Sequence, residues 1–152
     1  MERALAVVGE EERSKKVVRE AGELAAGVDA ELILLTVIPQ EEYEEKRRDI
    51  EESIRDEDIV YTFTQAEQDA RHTARDVADE GLDGIDVDYD VLGAVGRQAD
   101  TIVSVADTEE CDHLFLAGRR RSPTGKALFG DLTQEVLLTF DGPVTVLLGD
   151  DN

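Results

Sequence analysis

Arg119, Arg120 and Arg121, with Lys126 close behind, form a dense cluster of positive charge in a chain whose formal net charge is −21. Guanidinium groups are planar forks of N–H donors that match the oxygens of phosphates and carboxylates, so this segment is equipped to hold an anion. The alternative is that the three arginines solvate a loop and pair with surrounding acids. Other candidates for chemistry are sparse. Gly125-Lys126 has the dipeptide of a phosphate-binding P-loop, but Arg120 stands where its first glycine belongs and Ala127 replaces the hydroxyl residue. Gly93 and Gly96 lack the third glycine of a dinucleotide fingerprint and are expected to turn the chain into the next helix. His72, near Thr73 and Arg75 on a helix, is expected to be exposed. His113 beside Asp112 and Cys111 raises a metal or nucleophile reading, yet no second histidine or cysteine lies nearby to complete a ligand set. No metal site and no catalytic residue is therefore assigned, and the expected role is not enzymatic, with slow nucleotide hydrolysis left open.

The elements that must carry these residues alternate between short apolar runs and segments of helical period, the pattern of a parallel sheet covered by helices. Ala4–Val8 reads as a buried first strand ended by Gly9, and Leu32–Ile38 as a second closed by Pro39. Between them Val17, Val18, Ala21, Leu24 and Ala25 recur at helical spacing, with Gly27 at the stop. Residues 40–58 are almost all charge, anchored only by Tyr43, Ile50 and Ile54, and read as a solvated connection with helical pieces. Thr64 and Glu67 have capping-box spacing ahead of an alanine-rich stripe of Ala66, Ala70, Ala74, Val77 and Ala78 that Gly81 ends.

Ile85–Val91 alternates apolar with acidic and predicts an edge strand, with Ile85, Val87, Tyr89 and Val91 inward and Asp86, Asp88 and Asp90 facing water. Ala99, Ile102, Val103 and Ala106 mark a helix before a strand at His113–Ala117. After a polar loop from Gly118 to Phe129, Asp131 and Gln134 again have capping-box spacing, and Leu132, Val136, Leu137 and Phe140 make the buried stripe of a last helix. Gly142 and Pro143 break it, and Val144–Leu148 closes the sheet. One domain over residues 1–149 with an acidic tail at 150–152 follows from this length and order.

The succession of a first strand with a short polar turn, LLTVIP, ECDHLFLAG, a loop ending FGDLTQEVL and a closing GPVTVLL resembles the universal stress protein family over essentially the whole chain. The resemblance implies an α/β, Rossmann-like, adenine nucleotide alpha hydrolase-like fold: five parallel strands in the order 3-2-1-4-5 with helices on both faces. It also implies a homodimer and, in many members, ATP or AMP in the cleft after strands one and four. Mapped onto this chain, the cleft would be formed by Gly9, Glu10, Val37, Gly118, Arg119, Arg120, Arg121, Gly130, Asp131 and Leu132.

Nucleotide-binding members carry Gly, two residues, Gly, nine residues, Gly, then Ser or Thr, because glycines let the backbone approach phosphate oxygens at a helix N-terminus. Aligned from Asp112, those positions here hold Ala117, Arg120, Gly130 and Asp131, so only Gly130 matches. Moving to Gly118 and Arg121 shortens the spacer by one. The family's aspartate after the first strand is replaced by Gly9 or Glu10, and Asp131, when not read as an N-cap, puts a carboxylate where a phosphate would sit. Two functions stay open: a dimeric stress-response protein with a degenerate anion-binding loop, acting on an unknown protein partner, or an adenine-nucleotide sensor that uses Arg119–Arg121. Val144, Val146 and Leu148 are the expected dimer contacts, since VTVLL is too apolar for a bare edge.

Asp and Glu number 37 against 16 Lys and Arg, and the only lysines are Lys15, Lys16, Lys46 and Lys126. Such a surface repels nucleic-acid backbones and anionic membranes, and no run approaches the length of a membrane span. Neither is expected as a partner. A cytoplasmic location is expected, and the single cysteine, Cys111, fits a reducing compartment. Self-repulsion on this scale opposes compactness unless salt screens it, which points to a halophilic cytoplasm where the screening length falls to about 3 Å near 1 M salt. The Tm is expected to rise by about 10 °C or more between 0.1 M and 2 M KCl, followed by circular dichroism; a flat profile would remove the halophilic reading.

Overall fold

The structure is a computed structural model that describes residues 1–53, 61–119 and 130–149. Five strands, β1 (Arg3–Val7), β2 (Glu31–Pro39), β3 (Tyr89–Gly96), β4 (His113–Arg119) and β5 (Val144–Gly149), form one sheet in the order β3-β2-β1-β4-β5. Every pairing is parallel. The helices are α1 (Glu12–Gly27), α2 (Gln40–Ser53), α3 (Phe63–Gly81), α4 (Gln98–Thr108) and α5 (Asp131–Thr139).

The central strands are apolar on both faces because both are covered, as parallel sheets require. Alternate residues of β1 separate cleanly. Ala4 and Ala6 join Val17, Val18 and Ala21 of α1 and Ala74 and Ala78 of α3 in one core, while Leu5 joins Ala99, Ile102 and Ala106 of α4 and Val136 of α5 in the other. Thus α1 and α3 lie on one face, α4 and α5 on the other. The α2 helix instead stands at the end of β2, where buried Tyr43 packs with Tyr61, Ala66, Ile38 and Val95. Residues 40–53 are one continuous helix rather than the broken connection expected. Its surface is laced by i,i+4 pairs such as Arg47 with Glu51 at 3.2 Å, which support a helix that buries little. Ile54, expected as an anchor, lies outside the described residues.

Two boundaries move for identifiable reasons. The capping box of α3 is Thr62 with Gln65, two residues before the expected pair. Gln65 N donates to Thr62 Oγ1 at 3.2 Å and Thr62 N donates to Gln65 Oε1 at 3.1 Å, so two otherwise orphan donors are satisfied at once. The third strand begins at Tyr89, not Ile85, and runs through Gly93 to Gly96, in register with Leu32–Pro39. Ile85 and Val87 still pack against the core but from outside the strand, and Tyr89, expected inward, is 45% exposed. Gly93 therefore does not turn the chain. It lies under α3 at so close an approach that a β-carbon would run into the Glu67 carbonyl oxygen and Arg71 amide and come within 2.9 Å of Ala70 Cβ.

The closing elements hold one further correction. Val136 and Phe140 of the α5 region are buried as expected, but Leu137 is exposed, since it sits a helical step away from the inward face. Because its neighbour at Gly93 is helix backbone, Gly93→Ala forces α3 off the sheet. It is expected to destabilise the protein by about 1–3 kcal/mol, read as a lower urea midpoint. Gly27→Ala, where a β-carbon meets nothing within 4 Å, is the control and should leave the midpoint unchanged or raise it.

Candidate functional site

Strand order reverses between β1 and β4, so the helices that follow these two strands, α1 and α5, lie on opposite faces and a crevice opens at the strands' carboxyl ends. A cavity of about 410 Å³ lies there, within the range of small-molecule sites. One side is built by Val7–Glu11, Arg13 and Ser14 at the β1–α1 turn, with Leu116 and Ala117 of β4 and Leu132 and Thr133 of α5. The other is built by Thr36–Pro39 at the end of β2, by Glu42, Tyr43 and Lys46 of α2, and by Tyr61, Asp69, Ala70 and Thr73.

Hydrogen bonds hold the first side in shape. Gly9 N donates to Ser14 Oγ at 2.8 Å, and Ser14 Oγ donates to Glu11 Oε2 at 3.4 Å, which folds the turn onto the first turn of α1. Any side chain at Gly9 would compete with Glu11, whose Oε2 lies 2.6 Å from the site of a β-carbon. Buried Thr36 donates to the Val8 carbonyl oxygen at 3.0 Å and Val8 N donates to the Leu35 carbonyl oxygen, which ties the rim of β1 to β2. The hydroxyls of Ser14 and Thr36 are thus engaged in holding backbone.

The second side is an aromatic and ionic wall. Tyr43 OH donates to the Tyr61 carbonyl oxygen at 3.2 Å, and Tyr43 stacks on Phe63 with centroids 4.4 Å apart. Tyr61 OH donates to Asp69 Oδ2 at 3.1 Å, while Lys46 Nζ lies 3.5 Å from the same oxygen and 4.7 Å from the Tyr61 ring centroid. Burial and the bond to Asp69 push the Tyr61 phenol above its ordinary pKa. Burial works against the charge on Lys46, but Tyr61 and Asp69 outweigh it and hold the ammonium above its usual value. Glu10, Glu11, Glu42 and Asp69 face Arg13 and Lys46 across the lining, so carboxylates outnumber cations among the described lining residues.

Of the residues expected at the site, Gly9, Glu10, Val37 and Leu132 line the cavity. Gly118 is buried within β4 and Asp131 is exposed, and neither belongs to the lining. Arg119 ends β4, while Arg120, Arg121 and the rest of the segment to Phe129 lie outside the described residues. Asp131 is not the cap of α5. Gly130, at φ 75°, takes that place, the Asp131–Gln134 box is absent, and Gln134 N bonds the Gly130 carbonyl oxygen instead. Only glycine adopts that backbone without strain, which is why the cap falls one residue early. Asp131 then sits in the first turn, where its charge still favours the helix dipole.

Sequence reading did not find Arg13, Thr36, Lys46, Tyr61 and Asp69. Two signals were present: Tyr43 and Tyr61 are rare aromatics flanking a charged stretch, and Lys46 is one of four lysines. The three residues from Cys111 to His113 have structural roles. Asp112 accepts from Glu2 N at 2.9 Å and Arg3 N at 3.3 Å; His113 Nε2 lies 2.8 Å from Thr145 Oγ1 with its ring stacked on Phe115. Burial pushes the Cys111 thiol up to about 11, far from a reactive thiolate. His72 is exposed beside Asp76, as expected.

The strand order, the crevice at its reversal and the polar turn after β1 coincide with a match between residues 1–147 and the model of the universal stress protein family. The chain belongs to that family. No curated protein sequence matches it. Among solved structures, this universal stress protein is similar to a universal stress protein in complex with cAMP, at 19% identity over 97% of this chain and 96% of that one, with a TM-score of 0.64. It is similar to UspA from Lactobacillus plantarum at 21% identity over 96% and 97%, with a TM-score of 0.63. A universal stress protein from Archaeoglobus fulgidus in complex with dAMP matches at 18% identity over 96% of each chain, with a TM-score of 0.58. At these identities the likeness is one of fold, and the expected strand order 3-2-1-4-5 is the one observed.

Proposed function

We propose that this universal stress protein acts in the stress response as a binding protein that holds an adenine mononucleotide in the cleft between β1 and β4, with no turnover. The observation that carries the proposal is the cavity of about 410 Å³ at the reversal of strand order, walled by aromatic rings at one end and closed by the first turn of α5 at the other. Its size suits a nucleotide, and two structures of the same fold hold cAMP and dAMP. In this reading the base lies towards Val37 and the tyrosines, and Glu10 meets the ribose. The phosphate lies towards Thr133 and the positive end of α5, with Arg13 and the Arg119–Arg121 segment as its cationic partners. A mononucleotide is favoured over ATP because each added phosphate charge meets the carboxylates of the lining.

A second reading has two observations behind it. The excess of carboxylates around the cleft, with the broken glycine pattern of the loop, favours a dimeric interaction protein that binds no nucleotide. Calorimetric titration in molar KCl separates the two. AMP is expected to bind one per chain, ATP more weakly, and Arg13→Glu is expected to weaken AMP about tenfold. No binding by the natural chain, with binding gained only by Asp131→Ser, would favour the interaction protein.

The proposal extends to assembly and setting. Among the described residues no helix is long and apolar enough to cross a membrane, and we infer a cytoplasmic protein with one domain over residues 1–149 and an acidic tail. Among the described residues β5 pairs with β4 alone, leaving Val144, Val146 and Leu148 along an apolar edge. We infer a two-fold dimer through that edge. Light scattering in high salt should give the mass of a dimer, and Val146→Lys should give a folded monomer; a natural chain that scatters as a monomer would overturn the inference.

A further inference from the structure

The wall between α2 and α3 contains a carboxylate that a site for anions would be expected to avoid. Asp69 lines the cleft with its side chain half exposed, yet it is held firmly: Tyr61 OH donates to its Oδ2 at 3.1 Å and Lys46 Nζ lies 3.5 Å from the same oxygen. Tyr61 is fixed in turn, since the residue is 7% exposed and its carbonyl oxygen accepts from buried Tyr43. Both contacts fall on Oδ2, so Oδ1 keeps its capacity to accept a hydrogen bond. Lys46 offsets the carboxylate's charge locally, which lessens the repulsion that Asp69 exerts on a bound phosphate. Ala70, one helical step on, is small enough to leave space beside it.

We propose that Asp69, braced by Tyr61 and Lys46, is the base-reading residue of this cleft and accepts a hydrogen bond from an N–H on the edge of a purine ring that lies against Tyr43 and Tyr61. This rests on the nucleotide reading above and adds to it the group that selects the ring. The chemistry selected is a ring that offers a donor next to an acceptor, with Asp69 taking the donor and Lys46 serving the acceptor. Adenine and hypoxanthine both present such an edge, whereas unsubstituted purine presents acceptors only.

The inference makes a prediction of opposite sign to simple electrostatics. Removing a negative charge from an acidic cleft should tighten any phosphate-bearing ligand; loss of a base contact should weaken those with the right ring. We expect Asp69→Ala to bind AMP about tenfold more weakly while binding ribose 5-phosphate as well as or better than the natural chain, by calorimetry in molar KCl. The natural chain should also prefer AMP and IMP over purine riboside 5′-monophosphate about tenfold, and Asp69→Ala should lose that preference. An unchanged melting profile, with Tyr61→Phe as a second variant that loosens Asp69 without removing its charge, keeps misfolding apart from the effect. Tyr61→Phe should weaken AMP in the same direction but less. Asp69→Ala binding AMP as tightly as the natural chain, or more tightly, overturns the base-reading role and leaves nucleotide binding standing. No binding of any of the four probes by the natural chain overturns both.

Discussion

Five parallel strands demand that every connection travel back along the length of the sheet, and that requirement organises the molecule. No return can be a tight turn, so each strand but the last is followed by a crossing helix and the sheet is covered on both faces. Chain order starts in the middle, at β1, moves outward to β2 and β3, then restarts on the other side with β4 and β5. At that restart two neighbouring strands are followed by helices on opposite faces, α1 and α5. A crevice opens between them at the carboxyl ends of the strands. The cleft is a consequence of topology before any side chain is chosen.

Packing then decides how precisely the layers sit. Alanine recurs along the inward face of α3, at Ala66, Ala70, Ala74 and Ala78, and Gly93 lies beneath, so helix and sheet meet almost backbone to backbone. Close approach of this kind pulls α3 deep over β2 and β3 and brings Asp69 and Thr73, one turn along and on the adjoining face, to the mouth of the cleft. A bulkier stripe would lift the helix and withdraw those groups. Interiors pack at the density of organic crystals, so such displacements are not absorbed elsewhere.

The charge of the protein sets the terms on which the cleft works. An acidic shell concentrates cations and repels polyanions, and the lining carries more carboxylates than cations among its described residues. Local pairing of Lys46 with Asp69 offsets part of this. In concentrated salt the distant acids are screened within a few ångströms while contacts inside the cleft persist, so short-range pairs count for more than net charge.

Fold class and the helix stripes were legible in the sequence because apolar periodicity reports directly on which faces are buried, whereas the strand order followed from the resemblance to the universal stress protein family. β1, β2, β4 and β5 could be read to within two residues, since a run such as LILLTVI has no polar face to show to water. β3 was misplaced because the alternation of Ile85–Val91 imitates a half-exposed strand, while the real strand contains Gly93 and Gly96, whose presence only the neighbouring helix explains. The α3 cap slipped because Thr62 and Thr64 offer the same spacing, and local pattern cannot choose between them.

The site divides in the same way. Gly9 and Glu10 follow β1, Val37 lies near the carboxyl end of β2 and Leu132 is in the first turn of α5, so their places came with the fold. Lys46, Tyr61 and Asp69 belong to three separate segments and acquire meaning only when α2 and α3 close over the end of β2. Sequence by itself determined the layered α/β class and the acidity of the surface, because both are sums over local pattern. Tertiary structure alone decided which few polar groups meet in the cleft, because that depends on distances between residues far apart in the chain.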